Sequence, residues 1–386
     1  MQTTVRNAEY TKKYNRNLVI KLLMAEPMFR SELARKTGLT RATISNIVDE
    51  FIAEGLVLEE KGAVPKKGRT PVPLILNETG LYAVGVYMSR ASFSVGLVNI
   101  KGEIISIKEL SPDFAKTTSE MLTEIGAIIN ELVLKSKIER KKILGVGISS
   151  PGPVDQSNGR ILNPPSFEKW HNTDVVTPIK KLTGMNTILE NTAYSIAKYE
   201  LTYGNARNIR SFVLLLIDSG VGCGIISKGK LYKGAHGLSG EIGHSSINYW
   251  GERCSCGNYG CLELYASIPN LLKRFGLPAA AWKNVVSQAR NNDPDSIRIL
   301  NQECEYLVAG IINTVNMLDV EAVILEGDIM DAFDIVSPFL EKQINEKIIT
   351  RSFGKMRILP SCSHKNHQIS TAANIVFNNY FDIFDI

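Results

Sequence analysis

Three cysteines within eight positions, Cys254, Cys256 and Cys261, follow His244 by ten residues and constrain this chain more than any other feature. One imidazole and three thiolates match a closed tetrahedral zinc site, and Gly257 and Gly260 permit the tight turns that bring three sulfurs to one ion. Because four protein ligands leave no open coordination position, one Zn2+ per chain is expected to be structural. Six cysteines in 386 residues are too few for a disulfide framework. Cys223, Cys304 and Cys362 are expected to be small core residues. His171, His236, His364 and His367 have no comparable neighbours in the sequence.

With 44% hydrophobic and 22% charged residues, the chain reads as a globular protein of two or three domains. No apolar run approaches the ~20 residues that span a bilayer, and Met1 to Tyr10 lacks the apolar stretch of a secretory signal. The expectation is a cytoplasmic protein with no membrane insertion. The net charge of +5 is unevenly distributed. Residues 1–76 hold thirteen basic and eight acidic side chains, and the remainder is balanced at thirty-one of each. A small anion-binding head on a neutral body follows.

Within that head, Leu18, Val19, Leu22 and Leu23 give one helix, stopped by Glu26-Pro27. Ser31 is placed to cap a second helix that Gly38 breaks. Thr40 caps a third, with Ile44, Ile47, Val48 and Phe51 inward, and Gly55 ends it. This is helix-turn-helix spacing. The third helix leaves Arg41, Ala42, Thr43, Ser45 and Asn46 on an outer N-terminal face, where short donors and an arginine reach base edges in a major groove. Leu56 to Leu58 and Leu74 to Leu76 read as two strands of a winged helix. Lys66, Lys67 and Arg69 lie at its tip, suited to phosphates or a minor groove.

Beyond Asn77 the pattern is three strands (Leu81 to Val86, Ser92 to Asn99, Glu103 to Glu109), a helix from Thr117 to Lys135 and a buried strand from Ile143 to Ser149. A similar series recurs from Phe212 through Ile226 and Lys230 to Lys233. A helix near Glu303 to Met317 and a strand from Ala322 to Leu325 follow it. Two related α/β lobes enclosing a ligand cleft are expected.

Glu241-Ile242-Gly243-His244 followed by Cys254-Ser255-Cys256-Gly257-Asn258-Tyr259-Gly260-Cys261-Leu262-Glu263 closely resembles the signature of the ROK family, named for repressors, open reading frames and sugar kinases. The resemblance implies an α/β fold: an N-terminal winged helix-turn-helix followed by a two-lobed, actin-like, ribonuclease-H-type ROK sugar kinase fold. It gives a DNA-binding domain over 1–76, a first lobe over 77–190 to which the C-terminal helix 368–386 returns, and a second lobe with the zinc loop over 191–367. Zinc falls to His244, Cys254, Cys256 and Cys261. Sugar contacts fall to Asn191, Glu241, His244 and Glu263, with Asn163 as a further candidate. Paired carboxylates and amides suit vicinal hydroxyls, and the metal loop would orient part of such a pocket.

Two departures from the family's kinases bear on activity. The position of their general-base aspartate is Thr192, which cannot accept a proton near neutral pH. Their first phosphate loop, Asp-x-Gly-Gly-Thr, corresponds to Tyr87-Met88-Ser89-Arg90-Ala91, where bulky side chains replace glycines. A second loop, Asp218-Ser219-Gly220-Val221-Gly222-Cys223-Gly224, partly survives. The expectation is a catalytically inactive, sugar-responsive transcriptional repressor of the xylose- or amino-sugar-operon type. Its expected partners are operator double-stranded DNA, a monosaccharide or sugar-phosphate effector, and a second copy in a homodimer or higher even oligomer. A phosphorelay protein is a further partner among relatives. The alternative is an ATP-dependent sugar kinase with an appended DNA-binding head.

Overall fold

The structure is a computed structural model that describes residues 8–60, 72–90, 92–111, 115–362 and 367–382. Its head begins with helices α1 (Ala8–Ala25), α2 (Arg30–Thr37) and α3 (Arg41–Ala53), followed by the antiparallel pair β1 (Val57–Glu59) and β2 (Leu74–Leu76). Ile44, Ile47, Val48 and Phe51 are buried, as the spacing of α3 requires. Burying each such side chain contributes about 1.5–3 kcal/mol. Gly38 adopts the left-handed conformation that ends α2, and Thr40 Oγ1 accepts from Thr43 N at 3.1 Å to begin α3.

The cap of α2 differs from the sequence expectation. Ser31 lies inside the helix, and Phe29 stands at the cap position. The cause is tertiary. Met28 and Leu74 exchange backbone hydrogen bonds of 3.1 and 2.8 Å, which holds the chain extended up to Phe29. Glu32 Oε2 then accepts from the Phe29 N–H at 3.0 Å and satisfies an otherwise orphaned donor. Helix α1 also starts ten residues before Leu18, the first residue of its apolar period.

The body is built from two sheets of the same topology. In the first, β3 (Tyr82–Met88), β4 (Phe93–Asn99) and β5 (Ile104–Leu110) form an antiparallel meander. Helix α4 (Thr118–Ser136) leads into β6 (Ile143–Ser150), parallel to β3. A small sheet of β7 (Val154–Asp155), β8 (Arg160–Ile161) and β9 (Thr173–Asp174) precedes α5 (Val176–Thr183) and β10 (Thr187–Asn191), which pairs parallel to β6. After α6 (Thr192–Thr202), the meander returns as β11 (Phe212–Ile217), β12 (Val221–Ser227) and β13 (Lys230–Leu231). Helices α7 (Glu263–Ala266), α8 (Ile268–Arg274), α9 (Trp282–Arg290) and α10 (Pro294–Leu318) lead to β14 (Ala322–Glu326), parallel to β11. Then α11 (Phe333–Lys347) and β15 (Arg357–Pro360), parallel to β14, complete the second sheet, and α12 (Gln368–Tyr380) ends the described chain.

The covering helices are exchanged. Helix α6 leaves the first sheet at β10 and packs on β11 and β12 of the second; α12 leaves the second at β15 and packs on β3 and β6 of the first. Close approach demands glycine on both sides. A Cβ at Gly147 of β6 would stand 2.0 Å from the Ala372 carbonyl oxygen of α12, and one at Gly224 of β12 would stand 2.5 Å from that of Ala193 in α6. The two helices also pack against each other.

The head is not a separate bead. Val19, Ile20 and Leu23 of α1 share one apolar cluster with Val98, Ile100 and Phe377 of the body. Lys13 pairs with Asp382 at 2.6 Å, and α1 touches α6. No helix among the described residues is long and apolar enough to cross a membrane.

Candidate functional site

The metal-type cluster forms where the sequence placed it. The ligand atoms of His244, Cys254, Cys256 and Cys261 all lie within 4.8 Å of one another. The Cys256 and Cys261 sulfurs are 3.7 Å apart, and Cys254 Sγ lies 3.6 Å from His244 Nδ1. A tetrahedral ion with Zn–S bonds of about 2.3 Å sets its sulfurs about 3.8 Å apart, so the donor set fits a zinc-like metal. The loop is braced by the Cys254 N–H on the Asn258 carbonyl, 2.8 Å, and by the Gly260 N–H on the Glu252 carbonyl, 2.8 Å. Gly260 has φ +61°, and a Cβ there would overlap the Asn248 carbonyl oxygen at 1.7 Å, so no other residue closes this turn.

Asn191, Glu241, His244 and Glu263 line one cavity between the lobes, together with Arg90, Thr192, Asp218 and the Gly220–Cys223 turn. Each is set by the local fold. Asn191 caps α6, its Oδ1 accepting from Ala193 N at 2.8 Å, which keeps the side chain at the mouth of the helix. Glu263 begins α7, and its Oε2 accepts from Val221 N at 3.0 Å, tying the metal loop to the β11–β12 turn. Glu241 is reachable by solvent, yet crowding of the cleft by protein atoms and the nearby Glu263 carboxylate raise its carboxyl above the usual range, while His244 opposes the shift. Asn163 is exposed and lines an adjoining outer cavity of about 690 Å3 that shares Glu241 and His244. It lies outside the lining of the inner one.

Thr192 is 3% exposed, and its hydroxyl accepts from Ser149 Oγ at 3.2 Å, while Ser149 and Ser195 pair at 3.0 Å. A threonine in this hydroxyl network can orient a ligand but cannot take its proton. Sequence reasoning missed the bridge across the cleft. Arg90, in the β3–β4 turn, donates from Nε to the Pro165 carbonyl at 2.9 Å and from Nη1 to Ser219 Oγ at 3.2 Å, with Asp218 at 4.0 Å. Its only local signal is an arginine in a hairpin turn.

On the head, Arg41, Ala42 and Asn46 are exposed, and Thr43 and Ser45 are half-buried. Thr43 shares its hydroxyl with Thr40 Oγ1 at 2.9 Å. The acidic residues of α3 and its end are paired elsewhere. Asp49 meets Arg30 at 2.9 Å, Glu50 meets Lys12 at 2.8 Å, and Glu54 meets Arg16 at 2.7 Å. Negative charge is thus neutralised along the C-terminal half of α3, while its N-terminal half presents Arg41 and the positive end of the helix dipole. Lys66, Lys67 and Arg69 lie outside the described residues.

The sequence profile of the ROK family matches residues 83–377. The chain is similar to a protein named "Xylose repressor" from Bacillus spizizenii, 29% identical over 379 residues and covering 97% of both chains. It is 24% identical over 364 residues to the "DNA-binding transcriptional dual regulator NagC" of Escherichia coli, covering 90% of this chain and 88% of that one. Among solved structures, a ROK family transcriptional regulator described as a homolog of the Escherichia coli MLC protein superposes with a TM-score of 0.79 at 26% identity, over 97% of this chain and 98% of that one. A ROK family glucokinase from Streptomyces griseus, solved with glucose and AMPPNP, gives 0.65 at 22% identity over 76% of this chain and 98% of its own, a likeness of fold.

Proposed function

The chain belongs to the ROK family, and from that premise we propose that it is a sugar-responsive, DNA-binding transcriptional regulator, a repressor of a carbohydrate-utilisation operon, whose body binds sugar without phosphorylating it. Residues 1–76 form the DNA-binding part, 77–190 with 368–386 one lobe, and 191–367 the other. One observation carries the reading: the cleft keeps Asn191, Glu241 and Glu263 as partners for hydroxyls, while the place of a catalytic base holds the buried, hydrogen-bonded Thr192.

In this reading α3 enters a major groove through Arg41, Ala42, Thr43, Ser45 and Asn46, and Lys66, Lys67 and Arg69 follow the backbone or a minor groove. A homodimer reads a two-fold operator. Zinc, one per chain on His244, Cys254, Cys256 and Cys261, supplies structural cross-linking when bound. By setting the loop between Glu241 and Glu263, those ligands fix two walls of the cleft. Sugar binding then acts on the heads only through its unequal affinity for two arrangements of the lobes. The effector is a monosaccharide or its phosphate, with a phosphorelay protein as a further partner in this reading.

The test is binding of the purified protein to its own upstream promoter DNA at fixed salt, titrated with free and phosphorylated sugars. Specific release or recruitment by one sugar supports the reading. Absence of DNA binding together with sustained ATP-dependent sugar turnover rejects it in favour of a kinase with an appended head, the reading that the surviving Asp218–Gly224 turn favours.

A further inference from the structure

We propose that Arg90 is the positioning residue that links the cleft to the head. It bolts the β3–β4 turn of the first sheet to the β11–β12 turn of the second, and strand β3 carries the link onward. The effect on DNA rests on the regulator reading; the bolt itself does not.

The bolt is a chain of directional contacts. Glu263, a wall of the cleft, accepts from Val221 N at 3.0 Å. Gly220, next in the turn, leaves no room to spare: a Cβ there would stand 2.8 Å from Glu263 Oε2 and 3.6 Å from Arg90 Nη2. Ser219 Oγ donates its one proton to Asp218 Oδ1 at 3.1 Å, which leaves its lone pairs to accept from Arg90 Nη1 at 3.2 Å. On the other side, Arg90 Nε donates to the Pro165 carbonyl at 2.9 Å. A planar guanidinium aims two donors in fixed directions at once, whereas the ammonium of a lysine is a single point charge on a flexible stem. Asp218 stands 4.0 Å from the guanidinium, so the hydrogen bonds set the geometry.

From Arg90 the route to the head is a strand. One face of β3 gives Val84, Val86 and Met88 to the core beneath α4. Its other face gives Ala83 and Tyr87 to the apolar cluster that contains Val19, Ile20 and Leu23 of α1. Gly85, between them, lies against the backbone of α12. The seven-residue strand is paired on both sides, to β4 and to β6, and so moves with its sheet as a rod about 20 Å long. A shift of the β11–β12 turn, where Glu263 meets the cleft, therefore reaches α1 through a contiguous set of packed and hydrogen-bonded groups.

The test is amide hydrogen exchange on the full chain, without DNA or sugar, in Arg90→Met, in Ser219→Ala and in the double variant. Ser219 is exposed and Arg90 half-buried, and melting midpoints report whether each variant is folded. Should Arg90→Met melt early, Ser219→Ala decides. Exchange in the β11–β12 turn and in α1 is expected to quicken about threefold or more in each single variant. The double variant should exchange no faster than either, because both substitutions remove one bond. Single effects that multiply in the double variant, or parental protection of α1 in folded variants, overturn the proposal. On promoter DNA, a loosened body populates the binding arrangement less, so affinity should fall about threefold or more in both single variants. Parental affinity in both overturns the link to DNA. A parent that binds no promoter rejects the regulator reading, and exchange alone then judges the bolt, so the two failures are distinguishable.

Discussion

Arg207 Nη1 donates to the carbonyl oxygen of Ala25 at 3.1 Å, joining the segment that follows α6 to the last residue of the head's first helix. Since α6 begins at Asn191 in the cleft, one helix separates that cleft amide from the head. Arg207→Ala is expected to leave promoter affinity without sugar within about threefold, because a partly exposed hydrogen bond contributes only about 1 kcal/mol. The ratio of affinities with and without sugar should fall severalfold. Fluorescence anisotropy on labelled promoter DNA measures both, and an unchanged ratio shows that coupling travels elsewhere.

Arg41→Ala and Asn46→Ala should each weaken binding to the operator by about 1–3 kcal/mol, or roughly fivefold to 150-fold, and relax sequence preference at one position. Both side chains are exposed, so the melting midpoint should hold. Thr40→Ala is the contrasting case. Loss of its 3.1 Å cap to Thr43 should destabilise the head by about 1 kcal/mol before any base contact is considered. Comparison of thermal melts with DNA titrations separates the two effects.

One zinc per chain is expected from elemental analysis of protein prepared without chelator, and less than half an equivalent would count against the metal assignment. Chelation, or Cys261→Ser, should lower the melting temperature and abolish sugar binding together, because the loop that it closes carries Glu263 to the Val221 amide. Retained sugar affinity in metal-free protein would separate the cleft from the metal.

Glu303 provides a pH signature. It is fully buried in α10, neither carboxyl oxygen has a hydrogen-bond partner, and loss of hydration pushes its carboxyl well above the usual range. The native state therefore keeps a proton that the unfolded chain releases near pH 4.5. Native protein binding more protons means that stability falls as pH rises above that point. Glu303→Gln removes the ionisable group at nearly constant shape. The variant should melt with the parent below about pH 4.5 and above it at pH 7. Melting curves across that range check the sign, and a variant less stable at pH 7 contradicts it.

Local chemistry was readable in the residues. The cap at Thr40, the inward face of α3 and the four metal-type ligands each depend on neighbours within a turn or a loop, so spacing alone specifies them. Ser31 shows where that reasoning stops. Its cap role was displaced by Glu32 and Phe29 because a backbone pairing between Met28 and Leu74, forty-six residues apart, decides where the chain ceases to be extended. Arg90 is similar: its partners Pro165 and Ser219 belong to other elements, and no periodicity encodes a reach across a cleft. The separation of Asn163 from Asn191 into adjoining cavities likewise depends on how the lobes face each other.

The exchanged helices set what motion the body allows. Each sheet wears a cover tethered to the opposite half, so pulling the halves straight apart would strip α6 from β12 and α12 from β6 at once, exposing two apolar faces. Rotation about the contact between α6 and α12 leaves both covers seated. The body thus resembles a pair of scissors more than a clamshell, with its pivot beneath the head.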